Sequence, residues 1–306
     1  MAEDYRQYLD PKVLAKISRL DLQARLVVEG FISGMHQSPF HGFSVEFASH
    51  REYSPGDDTR HIDWKVQART DRYYIKQYEE ETNLKATFLL DASESMQYGR
   101  EGGLTKYQYA ASTVAALAFL LLRQQDAAGI ALFDDKLRSY IPAAGSNAQI
   151  KRIIHEMATH KPREKTSLEA ICHSVAESIP RRGLVCLVSD LFTDLDGVIR
   201  GLQHFRHHGH EVVVLHVMDA DELEFPFQAN TRFEGLEEMG DILTQPRALR
   251  ESYLASVEEF CREVKRTCVS NHMDYRLIST AEHLDAALLT FLAARAAAVR
   301  KAAVKR

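Results

Sequence analysis

Leu84-Lys-Ala-Thr-Phe-Leu-Leu90 runs directly into Asp91-Ala-Ser93-Glu-Ser95, and this stretch decides the fold. An apolar run broken only by Lys85 and Thr87 is too short for a buried helix and reads as a strand covered on both faces. The polar turn after it carries oxygen-bearing side chains at alternate positions. Downstream, strands and helices alternate. A helix is expected from about Lys106 to Gln124, then a strand at Ala128–Phe133 and a short edge strand at Leu137–Ile141 after the Asp134-Asp135 turn. Helices at about 148–158 and 167–178 precede the strand Leu184–Val188. A helix at about 195–207 ends at Gly209, and Glu211–Val217 is the next strand. Residues 219 to about 245, rich in acids and broken by Pro226, interrupt the rhythm and read as an inserted hairpin or irregular segment. A helix at about 247–270, a strand at Tyr275–Ile278 and a final helix at about 282–300 complete the pattern.

This order predicts an α/β fold: a doubly wound, mostly parallel six-stranded sheet with helices on both faces. Before it, residues 11–34 have apolar spacing typical of a helix. Residues 35–82 mix aromatic and charged residues with turns at Ser38-Pro39 and Pro55-Gly56, and Tyr73–Tyr78 reads as a strand. The expected division is an N-terminal helix and β/loop region over 1–82, then the sheet domain over 83–306 with an insertion at about 219–246.

Composition narrows the function. The 306 residues are 45% hydrophobic and 26% charged, enough for a packed core. The net charge of −5 offers no basic field for nucleic acid. The opening residues lack a signal-peptide apolar stretch, and the apolar run Ala110–Leu122 falls short of the roughly 18 residues that suggest a membrane span. Cys172, Cys186, Cys261 and Cys268 form no C-x-x-C pair, and a reduced cytoplasmic protein is expected.

Residues two apart in an extended or turning segment project the same way, so Asp91, Ser93 and Ser95 can converge. One carboxylate and two hydroxyls suit Mg2+ or Mn2+. Asp190, after the strand Leu184–Ser189, emerges at the same sheet edge, where parallel sheets place ligands. Thr166 precedes the helix before that strand. Thr166-Ser-Leu-Glu169 is also a capping box, so Thr166 has a purely structural role open to it and Ser167 is a rival donor.

Asp-x-Ser-x-Ser, a later threonine and a later aspartate resemble the metal-ion-dependent adhesion site of the von Willebrand factor A superfamily. The resemblance implies that Asp91, Ser93, Ser95, Thr166 and Asp190 coordinate the cation, Asp190 through water. Such a low-charge site leaves the metal electrophilic, and in adhesion-site proteins a partner's Glu or Asp completes its shell. A second, longer signature precedes the sheet: Ser33-Gly-Met-His, Arg51-Glu-Tyr-Ser-Pro-Gly-Asp-Asp58, Arg60-His-Ile-Asp-Trp64, Ala68-Arg-Thr70 and Tyr78-Glu-Glu-Glu81. It resembles the bacterial domain-of-unknown-function family 58. That resemblance implies a MoxR-type AAA+ ATPase partner and a chaperone-like role in maturing other proteins. Many members carry membrane helices, so this chain is expected to be a soluble branch.

The segment around Trp64 admits two readings. In one, Pro55-Gly56-Asp57 is a turn, Asp58 or Thr59 caps a short helix and the arginines pair with nearby acids; in the other, Trp64 and its arginines form a partner surface. Catalysis has little support. Ser93 stands where a haloacid-dehalogenase-type phosphatase needs a second aspartate, and no P-loop, H-E-x-x-H, G-x-G-x-x-G or serine-hydrolase elbow is present. The expectation is a non-catalytic, metal-dependent adaptor. The alternatives are a metal-dependent hydrolase or phosphotransferase using Asp91 and Asp190, and a structural scaffold.

Overall fold

The structure, a computed structural model, describes residues 45–54, 62–70, 72–80, 84–146, 148–160, 162, 168–179, 182–228, 231–233, 242–244 and 246–293. The helix expected at 11–34 and the Pro55-Gly56 turn lie outside the described residues. Two compact units are present, one within Ile32–Asn83 and one that carries the chain from Leu84 onward.

In the smaller unit, β1 (Val45–Glu52) pairs antiparallel with β2 (Tyr74–Glu80), and a short helix α1 (Trp64–Thr70) lies between them in sequence. Asp63 begins that helix: its Oδ1 accepts from the amides of Lys65 at 3.0 Å and Val66 at 3.3 Å. The cap is therefore Asp63; Asp58 and Thr59 lie outside the described residues. Trp64 is 60% exposed, and Tyr73 meets its ring edge-on.

The larger unit holds β3 (Lys85–Asp91), α2 (Lys106–Arg123), β4 (Ala127–Phe133), β5 (Leu137–Ala144), α3 (Gln149–Thr159), α4 (Leu168–Ser178) and β6 (Leu184–Ser189). There follow α5 (Leu195–His207), β7 (Glu211–Met218), α6 (Ala220–Glu224), β8 (Thr231–Phe233), β9 (Ile242–Thr244), α7 (Pro246–Ser270), β10 (Asp274–Ser279) and a helix α8 over 284–293. Six strands form one sheet in the order β10-β7-β6-β3-β4-β5, all parallel except the edge pair β4–β5. This is the mostly parallel, doubly wound six-stranded arrangement expected from the strand pattern. The segment 219–245 supplies α6 and the antiparallel strand pair β8–β9, in keeping with the first of its two expected forms, a hairpin.

Both sheet faces are covered, which explains the apolar strands. Leu89, Val185, Leu187, Val212 and Val214 pack with Ile171, Val175, Leu202, Phe205 and Val264 from α4, α5 and α7. The alternate residues Phe88, Leu90, Ile130, Leu132 and Val188 point to the other face and are equally buried. α2 is buried around nearly its whole circumference. A capping box starts it: Gln108 N donates to Thr105 Oγ1 at 3.1 Å, and Thr105 N donates to Gln108 Oε1 at 3.0 Å. Gly129 has a packing reason in β4, since a Cβ there would lie 2.5 Å from Ala143 N and 2.6 Å from Ile141 O of β5. Among the described residues no helix is long and apolar enough to cross a membrane. All four cysteines are free thiols.

A costly buried group lies at the opposite end of the sheet, where β3 and β4 begin. Asp126 is buried; its Oδ1 accepts from Leu84 N at 2.8 Å where β3 begins, while Oδ2 has no hydrogen-bond partner. Burial raises its carboxyl to about 6 against the pull of the Leu84 amide. An unfolded aspartate titrates near about 3.9. The folded state thus holds this proton more tightly, and the associated stability is complete below about 4 and lost as pH rises through 6. Asp126→Asn keeps an acceptor for Leu84 N and removes the charge. In thermal melts from pH 5 to pH 8 it is expected to be the more stable protein at pH 8, by about 1–2 kcal/mol. Parallel profiles for the two proteins would refute this.

Candidate functional site

In the sheet order the chain leaves β3 toward β4 on one side and returns to β6 on the other, so β3 and β6 flank the topological switch point. Crevices form there, beyond the carboxyl ends of the strands, because consecutive connections diverge to opposite faces. Asp91 closes β3 and Asp190 follows β6, which pairs with β3 in register up to Leu90 and Val188. Both carboxylates are buried at this edge.

Asp91 is held from two directions. Its Oδ1 accepts from Ser93 N at 2.9 Å, the local turn that the D-x-S spacing allows. Its Oδ2 accepts from Ser189 Oγ at 2.5 Å, a contact across the sheet. Ser189 Oγ accepts in turn from Leu191 N at 2.9 Å, tying it to a turn in which Leu191 adopts a left-handed φ of 58°. Ser93 Oγ and Ser95 Oγ lie 3.1 Å apart. The Asp91-Ala-Ser93-Glu-Ser95 turn leads into a 3-10 turn over Glu94–Gln97, with Met96 fully buried beneath it. Asp91, Ser93 and Ser95 therefore converge as their spacing predicted.

Asp190 joins the same electrostatic site. Burial, then repulsion from Asp190, pushes the Asp91 carboxyl up to about 7, against hydrogen bonds from Ser189 and Ser93 that favour its charge. Asp190 Oδ1 accepts from Phe192 N at 3.2 Å, and its Oδ2 receives the Lys106 ammonium at 2.7 Å. The same ammonium lies 2.7 Å from Glu222 Oε1. Glu222 is pushed up by burial and partly brought back by Lys106. His216 Nε2 lies 2.9 Å from the carbonyl oxygen of Asp190, and its Nδ1 lies 2.9 Å from Tyr275 Oη. Burial lowers this imidazole to about 4, so near neutral pH it is an uncharged brace beneath the turn.

Thr166 and Ser167 lie outside the described residues. Among those described, no group of three or more His, Cys, Asp or Glu side chains is arranged to hold a metal ion. What is present is a different donor class: two carboxylates in mutual repulsion and two adjacent hydroxyls. These fit a hard divalent cation, since each carboxylate oxygen keeps a second lone pair and a cation would offset the burial and the repulsion from Asp190 that together raise Asp91.

Lys106, Ser189 and Glu222 were missed in the sequence. Lys106 left one signal, a lone lysine opening an otherwise apolar helix. Glu222 left another, because Asp219-Ala-Asp-Glu222 is a capping-box pattern in which Glu222 Oε2 accepts from Asp219 N at 2.7 Å. Ser189 left none. Replacing it with alanine strips a buried carboxylate of its cross-strand donor and leaves Leu191 N without that acceptor. Ser189→Ala is expected to cost about 1–3 kcal/mol in urea unfolding. A loss near zero would show that Asp91 does not depend on this contact.

A family model described as "Protein of unknown function DUF58" matches residues 49–262. Uncharacterized proteins of Mycobacterium tuberculosis and Mycobacterium bovis are 24% identical over 265 residues, covering 84% of this chain and 82% of theirs. Among solved structures, the conserved hypothetical protein BatB from Bacteroides thetaiotaomicron superposes with a TM-score of 0.46 at 15% identity, covering 70% of this chain and 99% of that one. An aerotolerance-related membrane protein from Bacteroides fragilis gives 0.46 at 15% identity, with 70% and 98% covered. The SpRpn10 VWA domain gives 0.35 at 14% identity, with 69% and 94% covered.

Proposed function

The chain belongs to the DUF58 family, and we propose that it is a non-catalytic adaptor that grips a partner protein through a divalent cation, Mg2+ or Mn2+, held at Asp91, Ser93, Ser95 and Asp190. Thr166 is the proposed fifth donor. The observation that carries this reading is the juxtaposition of two buried carboxylates at the switch point of the sheet beside the hydroxyl pair of Ser93 and Ser95. Such a site is unfavourable without a cation. Lys106 already neutralises one unit of its charge, so a bound divalent ion retains affinity for an outside acid. The partner we propose is a MoxR-type AAA+ ATPase or its client, presenting a Glu or Asp to the ion, with the adaptor working in chaperone-like assembly or maturation in the cytoplasm.

Removal of the metal tests the proposal. The tagged chain and its Ser93→Ala/Ser95→Ala variant are used to capture partners from a lysate of the native host, in Mg2+ and in EDTA. Wild type in Mg2+ is expected to retain an ATPase or client that both EDTA and the double substitution release, a loss of at least about tenfold. Identical captures under all conditions would rule out metal bridging. Turnover of a small phosphorylated substrate by the chain alone would favour the hydrolase reading instead.

A further inference from the structure

Lys106 is the least expected residue at this edge. It occupies the first position of α2, directly after the Thr105 cap, where the helix dipole disfavours a positive charge. Its side chain is 1% exposed, although a lysine is almost never buried unless paired. Two carboxylates from different connections hold it: Asp190, after β6, and Glu222, on α6 after β7, each at 2.7 Å. The Phe192 ring lies 4.8 Å from the ammonium and covers it. The backbone is fixed as well, since Lys106 N donates to Tyr98 O at 2.8 Å. Helix propensity and core packing do not account for an ammonium here; the carboxylates do.

We propose that Lys106 is a built-in cation of the candidate metal centre, a positioning residue that occupies Asp190 and keeps divalent-ion affinity low until an acidic partner contributes. The inference rests on the metal-binding reading above and extends it to regulation of the same site. Asp190 Oδ2 carries the ammonium and its Oδ1 carries the Phe192 amide, so this carboxylate is already committed before any divalent ion arrives. A unit positive charge in contact with Asp190 also opposes a second cation in the same low-dielectric crevice. Glu222 secures the arrangement: it draws the ammonium toward α6 and shares its charge, so that Lys106 is not committed to Asp190 alone. The site can then stay folded without metal, bind a divalent ion weakly, and hold it firmly only when an outside carboxylate adds its charge.

The test uses the full chain and MnCl2 alone, by titration calorimetry, with thermal melts in chelator and in Mn2+. Lys106→Met is expected to bind Mn2+ at least about tenfold tighter than wild type, because Asp190 is released and a repelling charge is gone. Its melting temperature is expected to fall in chelator and to recover in Mn2+. Lys106→Arg keeps the charge and should stay near wild-type affinity. In Lys106→Met/Asp190→Asn the gain should vanish, which a general change of charge or packing would not produce. If Lys106→Met does not fold in chelator, Glu222→Gln carries the test: it leaves the ammonium on Asp190 alone and should weaken Mn2+ binding severalfold, and unchanged affinity would overturn the inference. Wild-type binding with no tightening in folded Lys106→Met overturns the role of Lys106 and leaves the metal reading standing. Absence of Mn2+ binding in both proteins overturns the two together.

Discussion

Repulsion between two buried carboxylates at the ends of neighbouring strands is the constraint around which this edge of the molecule is organised. Asp91 ends β3 and Asp190 follows β6, and the parallel register places both strand ends at one level. Like charges that close in a low-dielectric crevice cannot both ionise without compensation. The surroundings supply it. Ser189, Ser93 and Phe192 direct hydrogens at the carboxylate oxygens, and Lys106 brings a full charge. Even so, Asp91 remains raised to about 7, so the compensation is incomplete.

The scaffold serves that arrangement through rigidity. The strands beneath the carboxylates are packed on both faces, and a core at organic-crystal density leaves them little freedom to separate. α2 begins beside the site with a two-way cap at Thr105 and Gln108, which sets where the Lys106 side chain starts. α6 begins with its own cap, in which one oxygen of Glu222 is used by the Asp219 amide and the other by Lys106. Asp219 Oδ2 also accepts from Thr280 Oγ1 at 2.6 Å, joining α6 to the end of β10. One residue thus does local capping work and long-range electrostatic work, which couples the two helix starts to the crevice.

His216 and the aromatic residues around it brace the far side. Its ring bridges the Asp190 carbonyl and Tyr275, while Phe260 of α7 stacks on Phe192 and meets His216 edge-on. Phe192 in turn covers the Lys106 ammonium. The turn after β6 is therefore clamped from β7, β10 and α7 together. This accounts for the left-handed conformation of Leu191, a strained geometry that persists where surrounding contacts over-determine it.

What the sequence determined by itself was local. An apolar run of strand length, the helical spacing after Lys106 and the apolar segment Leu184–Val188 each report burial of a contiguous piece, and contiguous burial leaves a periodic trace. The Asp91-Ala-Ser93-Glu-Ser95 turn was legible for the same reason, since its geometry is set by neighbours two residues apart. Several acids crowd the stretch before Trp64, and only geometry shows that Asp63 caps the helix that begins there. Asp190 was foreseeable as the residue after a core strand. Its bond to Lys106 spans 84 residues and that of Glu222 spans 116, and no periodicity records such a meeting. Only the order in which the strands lie side by side decided that a lysine opening one helix and a glutamate capping another would share a crevice, because charges interact through distance in space and the chain itself fixes distance only along its own length.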